Sequence, residues 1–169
     1  MRVLVTYASK HGSTAQVAER IALTLVGSGA KVDVLPMRDV RDVAGYEAVV
    51  LGSSVYFGKW LAEAVRFADQ NRTTLAARSV WLFSVGPLGD QPRSDPAEIV
   101  RLMTSIRAVD HHLFAGALNV SELSLLERVI VKGVKAPTGD FRDWTEIDSW
   151  GTTIARQLSS SRVEAELSQ

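Results

Sequence analysis

The sequence predicts an α/β fold, a parallel sheet with helices on both faces. Three observations carry this. Short apolar runs at Val3-Leu4-Val5, Ala48-Val49-Val50-Leu51 and Ser79 to Val85 read as buried strands. Amphipathic stretches of ~12–16 residues stand between them, the alternation expected of βαβ units. Glycine-containing loops follow the first, third and fourth strands. Right-handed crossovers bring the C-terminal ends of parallel strands to one edge, and ligands bind there at the switch in strand order. All three loops are expected on that edge.

In chain order, Arg2 to Tyr7 is the first strand. Ser13 or Thr14 can cap the helix that follows, whose inner face is Ala18, Ile21, Ala22 and Leu25. Gly27-Ser28-Gly29 stops it. Lys31 to Leu35 alternates like a strand near a sheet edge. Ala48 to Ser54 is a central strand, and Trp60 to Asn71 a helix with Leu61, Ala64, Val65 and Ala68 inward. Ser79 to Val85 is the next central strand. Ser94-Asp95-Pro96-Ala97-Glu98 starts a helix, with Asp or Ser as cap and Pro in the first turn. Ile99, Leu102, Met103 and Ile106 form its inner face. His112 to Leu118 reads as another central strand, entered from a surface turn that ends at His111 and His112. A last helix carries Trp144, Ile147, Trp150, Ile154 and Leu158 inward. Residues 1–160 are thus one domain with an inserted helical segment at 121–135, and 161–169 a polar, fraying tail.

Composition narrows the function classes. The chain is 46% hydrophobic and 22% charged, which suits one packed core in 169 residues. Zero formal net charge argues against nucleic acid as a partner. It also argues against the acidic docking surface of a small electron carrier. Without cysteine there is no disulfide framework, thiol nucleophile or Cys-ligated metal. The N-terminal Met1-Arg2-Val3-Leu4-Val5 lacks a signal-peptide pattern, and no run reaches the ~18 apolar residues of a membrane span. The expected location is cytoplasmic.

The loops suggest the chemistry. Tyr7-Ala8-Ser9-Lys10-His11-Gly12-Ser13-Thr14 passes from strand to helix. Ser9, Ser13 and Thr14 offer hydroxyls, Gly12 allows close backbone approach, and the helix start presents N–H groups at the positive end of its dipole. Lys10 or His11 can add charge. The plainer reading is a strand-to-helix turn with a Ser/Thr cap. Other phosphate motifs fail: no G-x-G-x-x-G follows the first strand, and Gly52 to Lys59 has the wrong spacing for a Walker loop, with Trp60 where Ser or Thr would hold magnesium. G-x-S-x-G is absent as well. In the second loop, Ser54-Val55-Tyr56-Phe57-Gly58, an aromatic can stack on a planar ring. Ring contact is favoured for Tyr56 or Phe57, and simple packing for Trp60. The third loop runs from Ser84 to Asp90 and includes Val85, Gly86 and Leu88. Its backbone N–H groups can meet ring carbonyls; a plain turn is the alternative.

These residues carry a resemblance. Val5 to Thr14 is similar to the flavodoxin phosphate-loop signature, departing at Thr6, where an apolar residue is usual. Leu51 to Gly58 looks like the loop that flanks the isoalloxazine in flavodoxins. Phe83-Ser84-Val85-Gly86 looks like the opposing ring loop, without the acidic residue and aromatic that many flavodoxins carry there. The resemblance implies a five-stranded flavodoxin-like sheet of order 2-1-3-4-5 that binds FMN non-covalently. Within that superfamily the chain resembles the menaquinone-dependent protoporphyrinogen oxidase group, through Gly52 to Gly58, through Phe114-Ala115-Gly116-Ala117-Leu118 with its following insert, and through Asp143-Trp144.

Ser121 to Lys135 pairs an apolar arc with a basic cluster at Arg128, Lys132 and Lys135. That pattern suits a membrane-surface helix or a lid, although packing on the domain's own flank or a dimer contact is the commoner use. Of the histidines, His11 can bond phosphate or ring-edge groups, and neighbours His111 and His112 give no metal site. No general base is assigned, because flavin chemistry can proceed without one. Three functions follow: an FMN-dependent oxidoreductase with a quinone acceptor, a flavodoxin-type carrier serving a redox partner protein, or an FMN-free interaction domain.

Overall fold

A computed structural model describes residues 1–86, 95–118, 124, 128, 131–132 and 138–167. The strands are β1 (Arg2–Ala8), β2 (Lys31–Pro36), β3 (Ala48–Tyr56), β4 (Lys59–Trp60), β5 (Ser79–Val85), β6 (Asp110–Phe114), β7 (Ala117–Leu118) and β8 (Gly139–Asp140). The helices among the described residues are α1 (Ser13–Gly27), α2 (Ala62–Gln70), α3 (Arg72–Ala76), α4 (Ala97–Ser105) and α5 (Trp144–Leu167), with a 3-10 turn at Met37–Asp39. Five parallel strands run β2-β1-β3-β5-β6, and β4 folds back antiparallel on β3. This is the expected order, with β2 at one edge.

Strand periodicity divides the core. Val3, Val5, Ala48, Val50, Trp81, Phe83 and Val85 point to one face and pack with Val17, Ile21 and Leu25 of α1 and Ile147, Trp150 and Ile154 of α5. Leu4, Val49, Leu51, Val80 and Leu82 point to the other, against Ala64 and Phe67 of α2 and Ile99, Leu102 and Ile106 at α4. Both faces are covered, which is why the central strands read as unbroken apolar runs. Each wholly buried Leu, Ile or Phe contributes about 1.5–3 kcal/mol. Arg20 clamps α1 to α5 through a two-pronged bond to Asp148, at 2.6 and 2.5 Å.

Several expectations are corrected. Trp60 does not open a helix. Val55↔Trp60 and Tyr56↔Lys59 pair across a two-residue turn in which Phe57 (φ 48) and Gly58 (φ 72) are both left-handed. This suits a type I′ hairpin. The strand containing the histidines is Asp110–Phe114 at the sheet edge, so it is neither central nor followed directly by the insert. His111 and His112 lie inside it, not at a turn. Neither Ser13 nor Thr14 caps α1; Gly12 occupies the cap position at φ 82 with no side-chain bond. At α4 the cap position belongs to Pro96, again without a side-chain bond. Trp144 is 37% exposed, lying 4.6 Å beneath the Arg142 guanidinium, because that cation holds its indole at the surface. The last helix continues through Leu167 instead of ending near 160.

A small ladder brackets residues 119–138. Ala117↔Asp140 and Leu118↔Gly139 pair antiparallel, closing the base of the intervening segment. Of the helix expected at 121–135, most lies outside the described residues. Arg128 and Lys132 are helical and exposed. Among the described residues no helix is long and apolar enough to cross a membrane.

Candidate functional site

The β-ladder registers align the three loops. Ala8 pairs with Ser53, and Ser54 pairs with Val85, so β1 and β5 end within one residue of each other along β3, which runs on to Tyr56. In the first loop, Ser9 Oγ accepts the Gly12 N–H at 3.1 Å and closes the turn. Gly12 needs its glycine for the left-handed backbone, since a Cβ there would meet nothing within 4 Å. Ser13 is half-buried at the start of α1. Thr14 is wholly buried, and its hydroxyl meets Ser54 Oγ at 2.7 Å, joining the first loop to the second. Lys10 reaches over the Tyr56 ring, with Nζ 5.2 Å from its centroid, and the His11 ring lies 6.2 Å from it.

The second loop presents its aromatics differently from one another. Tyr56 is half-buried among Lys10 and His11, whereas Phe57, at the hairpin tip, is 85% exposed. A phenylalanine with positive φ and an open ring is held there at a backbone cost. Trp60 is buried, in keeping with its packing role, and its Nε1–H donates to Ser84 Oγ at 2.7 Å.

At the third loop, Ser84 and Val85 are buried and Gly86 turns the chain at φ 127. A Cβ on Gly86 would come to 3.4 Å from the Val55 Cβ and carbonyl oxygen, so the second and third loops touch. The Gly86 N–H is committed to the Phe114 carbonyl at 3.0 Å. It is therefore not a donor for a ring carbonyl, contrary to expectation. Leu88 lies outside the described residues.

This edge fits a phosphorylated planar cofactor. The first turn of α1 has no side-chain cap and no acidic residue, and hydroxyls flank it. Such a terminus is suited to an anion. Phe57, Tyr56 and Gly58 stand beside it as a surface for a ring. FMN has both parts.

Sequence reasoning missed several residues of this region. His111 Nε2 lies 2.8 Å from Ser84 Oγ, and its Nδ1 lies 3.2 Å from Asp95 Oδ1. Burial pushes the His111 pKa below its ordinary value, against the opposing pull of Asp95 and Asp110. Gly116 packs on Gly86, where a Cβ would meet the Gly86 nitrogen at 3.4 Å, so the base of the insert abuts the third loop. Arg142, whose side chain is only 8% exposed, binds both Asp140 oxygens and Gln16 Oε1, tying that base to α1. The Asp140 carboxyl is held below its ordinary range chiefly by the hydrogen bond from Arg142. No local pattern around His111 marks it, since its partners Ser84 and Asp95 are distant in sequence.

The fold and the three-loop edge define a flavodoxin-type α/β domain. The flavodoxin domain family matches residues 4–145, and the chain belongs to that family. It is similar to the protoporphyrinogen IX dehydrogenase (quinone) of Escherichia coli, at 22% identity over 172 residues, covering 92% of this chain and 95% of that one. The protein of the same name from Leishmania major is 25% identical over 154 residues, covering 86% and 67%. Among solved structures, a flavodoxin from the domain Archaea superposes with a TM-score of 0.66 at 19% identity, covering 94% of this chain and 99% of that chain.

Proposed function

We propose that the chain is an FMN-dependent oxidoreductase that oxidises a reduced substrate and reduces a quinone, with a protoporphyrinogen-type substrate as the specific expectation. One observation carries this reading: an uncapped helix N-terminus flanked by hydroxyls shares a sheet edge with an exposed aromatic hairpin tip. Bound there, FMN would supply the redox chemistry, which needs no protein nucleophile.

The residues bind and orient. The first turn of α1 and the Ser13 hydroxyl would take the phosphate, with Lys10 adding charge. Ser9 holds Gly12 in the turn that exposes those N–H groups. Tyr56 and Phe57 would cover one side of the ring. The contact of Gly86 with Val55 sets the distance between the two ring loops. Gly116, just before the ladder that brackets the insert, meets the third loop at Gly86. The similarity to two quinone-linked dehydrogenases supports a quinone as the acceptor.

The open Phe57 also favours a second reading, a flavodoxin-type carrier that exchanges electrons with a partner protein at that tip. Anaerobic protoporphyrinogen oxidation with added menaquinone separates the two. Turnover by the FMN-loaded chain supports the oxidoreductase. Loaded protein without turnover removes that substrate and leaves the carrier.

A further inference from the structure

Behind the ring loops, four side chains form one hydrogen-bonded chain. Trp60 Nε1 lies 2.7 Å from Ser84 Oγ, Ser84 Oγ 2.8 Å from His111 Nε2, and His111 Nδ1 3.2 Å from Asp95 Oδ1. The proton positions follow from what each group can do. An indole N–H only donates, so Ser84 accepts from Trp60. The Ser84 hydroxyl hydrogen then goes to His111 Nε2, leaving Nδ1–H to donate to Asp95. Every donor has its acceptor when His111 is neutral and carries its proton on Nδ1.

Ser, His and Asp in this order also compose hydrolytic triads, but the geometry here forbids that use. Ser84 is wholly buried inside a strand, and Trp60 occupies its oxygen. No carbonyl substrate can reach it.

The placement of the chain gives it a different use. Ser84 precedes Gly86 on β5, Asp95 immediately precedes the Pro96 cap of α4, and His111 lies on edge strand β6. Gly86 bonds to Phe114 of β6, and Asp95 meets His111 of the same strand. Trp60 carries the same chain to the hairpin that bears Tyr56 and Phe57. His111 therefore joins the supports of both ring loops, and its side chain is only 6% exposed.

We propose that His111 is a positioning residue for the flavin, fixing the two ring loops relative to one another by linking Trp60 and Ser84 to Asp95. The proposal rests on the FMN reading above. Among the described residues, the charged and titratable groups around His111 are Asp95, Asp110 and His112. Asp110 accepts from Trp150 Nε1, and His112 meets Glu146, so each has its own partner.

The test compares wild type with His111→Leu, Asp95→Ala and the conservative Asp95→Asn. Thermal unfolding identifies the folded variants. In the unloaded protein, the indole N–H resonance of Trp60 is followed against pH; in the loaded protein, FMN affinity is measured by fluorescence quenching. The wild-type indole resonance should move as His111 titrates and stay fixed in His111→Leu. FMN affinity should fall about tenfold or more in His111→Leu and several-fold in Asp95→Ala, and Asp95→Asn should retain it, as loss of one buried hydrogen-bonded link implies. Should His111→Leu not fold, Asp95→Ala reads the same chain from its exposed end. Folded His111→Leu with wild-type affinity, or a Trp60 resonance indifferent to His111, overturns the proposal. A wild-type chain that takes up no FMN overturns the underlying reading as well, and the indole measurement then shows whether the chain of bonds itself exists.

Discussion

The hydroxyls of Thr14 and Ser54 meet at 2.7 Å and tie the first turn of α1 to the end of β3. Both residues are buried, so neither hydroxyl has water as a substitute partner. Thr14→Val should cost about 1–3 kcal/mol by stranding Ser54, and Ser54→Ala a similar amount by stranding Thr14. The double variant should cost less than the sum. Denaturant unfolding of the four proteins gives this cycle; strict additivity would mean the hydroxyls do not interact. On the proposed FMN reading, affinity for FMN should also fall in both single variants, because the bond aligns the first turn of α1 with the end of β3.

Gly52 lies against the ring of Phe83 on the neighbouring strand. A Cβ at Gly52 would stand 2.0 Å from Phe83 Cζ, and Phe83 is wholly buried, with no open space to enter. Gly52→Ala should therefore destabilise by about 3 kcal/mol or more, at the upper end of overpacking costs. Adding Phe83→Leu should recover part of that loss. A thermal midpoint unchanged by Gly52→Ala would contradict this packing.

Thr6 sits in β1 with its hydroxyl wholly buried and without a hydrogen-bond partner among the described residues. It is also the position at which the sequence departs from the flavodoxin signature. Thr6→Val removes the stranded hydroxyl at nearly constant shape, so stability should rise by about 1 kcal/mol. Equilibrium unfolding in urea measures it; a loss of stability would indicate that the hydroxyl is satisfied.

His111 makes stability depend on pH in a definite window. Burial lowers its folded pKa below the ordinary 6.5. Above 6.5 both folded and unfolded chains carry it neutral, and it exerts no pull. As pH falls from 6.5 toward the lower folded value, the unfolded chain takes up the proton first and stability declines. Asp33, Asp69 and Asp148 act lower down: hydrogen bonds from Arg2, Arg101 and Arg20 depress them below 3.8. Their stabilisation is present above 3.8 and is lost as pH falls through their folded values, and it is small because these pairs are exposed. Unfolding midpoints between pH 7 and 5 should therefore decline in wild type and decline less in His111→Leu.

The fold was legible because both faces of its sheet are covered. Val3-Leu4-Val5 and Ala48 to Leu51 are apolar on both sides, and glycines mark where they end. The loops of the candidate site were legible for the same reason, through Gly12, Gly58 and Gly86. The hairpin at Tyr56 was not, since Phe57 holds the left-handed conformation that Asn or Gly usually signals. His111 was missed because its partners Ser84 and Asp95 arrive through tertiary pairing. Trp144 was placed inward by helical spacing alone, and the cation on its face decides otherwise. The third loop offered N–H donors in sequence, yet the edge strand claims the one at Gly86.

The central claim is that the edge formed by the first turn of α1 and the two ring loops holds FMN. Its most direct measurement is titration of the flavin-stripped chain with FMN, read by quenching of flavin fluorescence and repeated with riboflavin, which lacks the phosphate. The account predicts saturable, equimolar uptake of FMN, much weaker uptake of riboflavin, and loss of that preference when Ser13→Asp places a carboxylate at the helix start. A folded wild-type chain that binds neither flavin, or binds both equally, would contradict it.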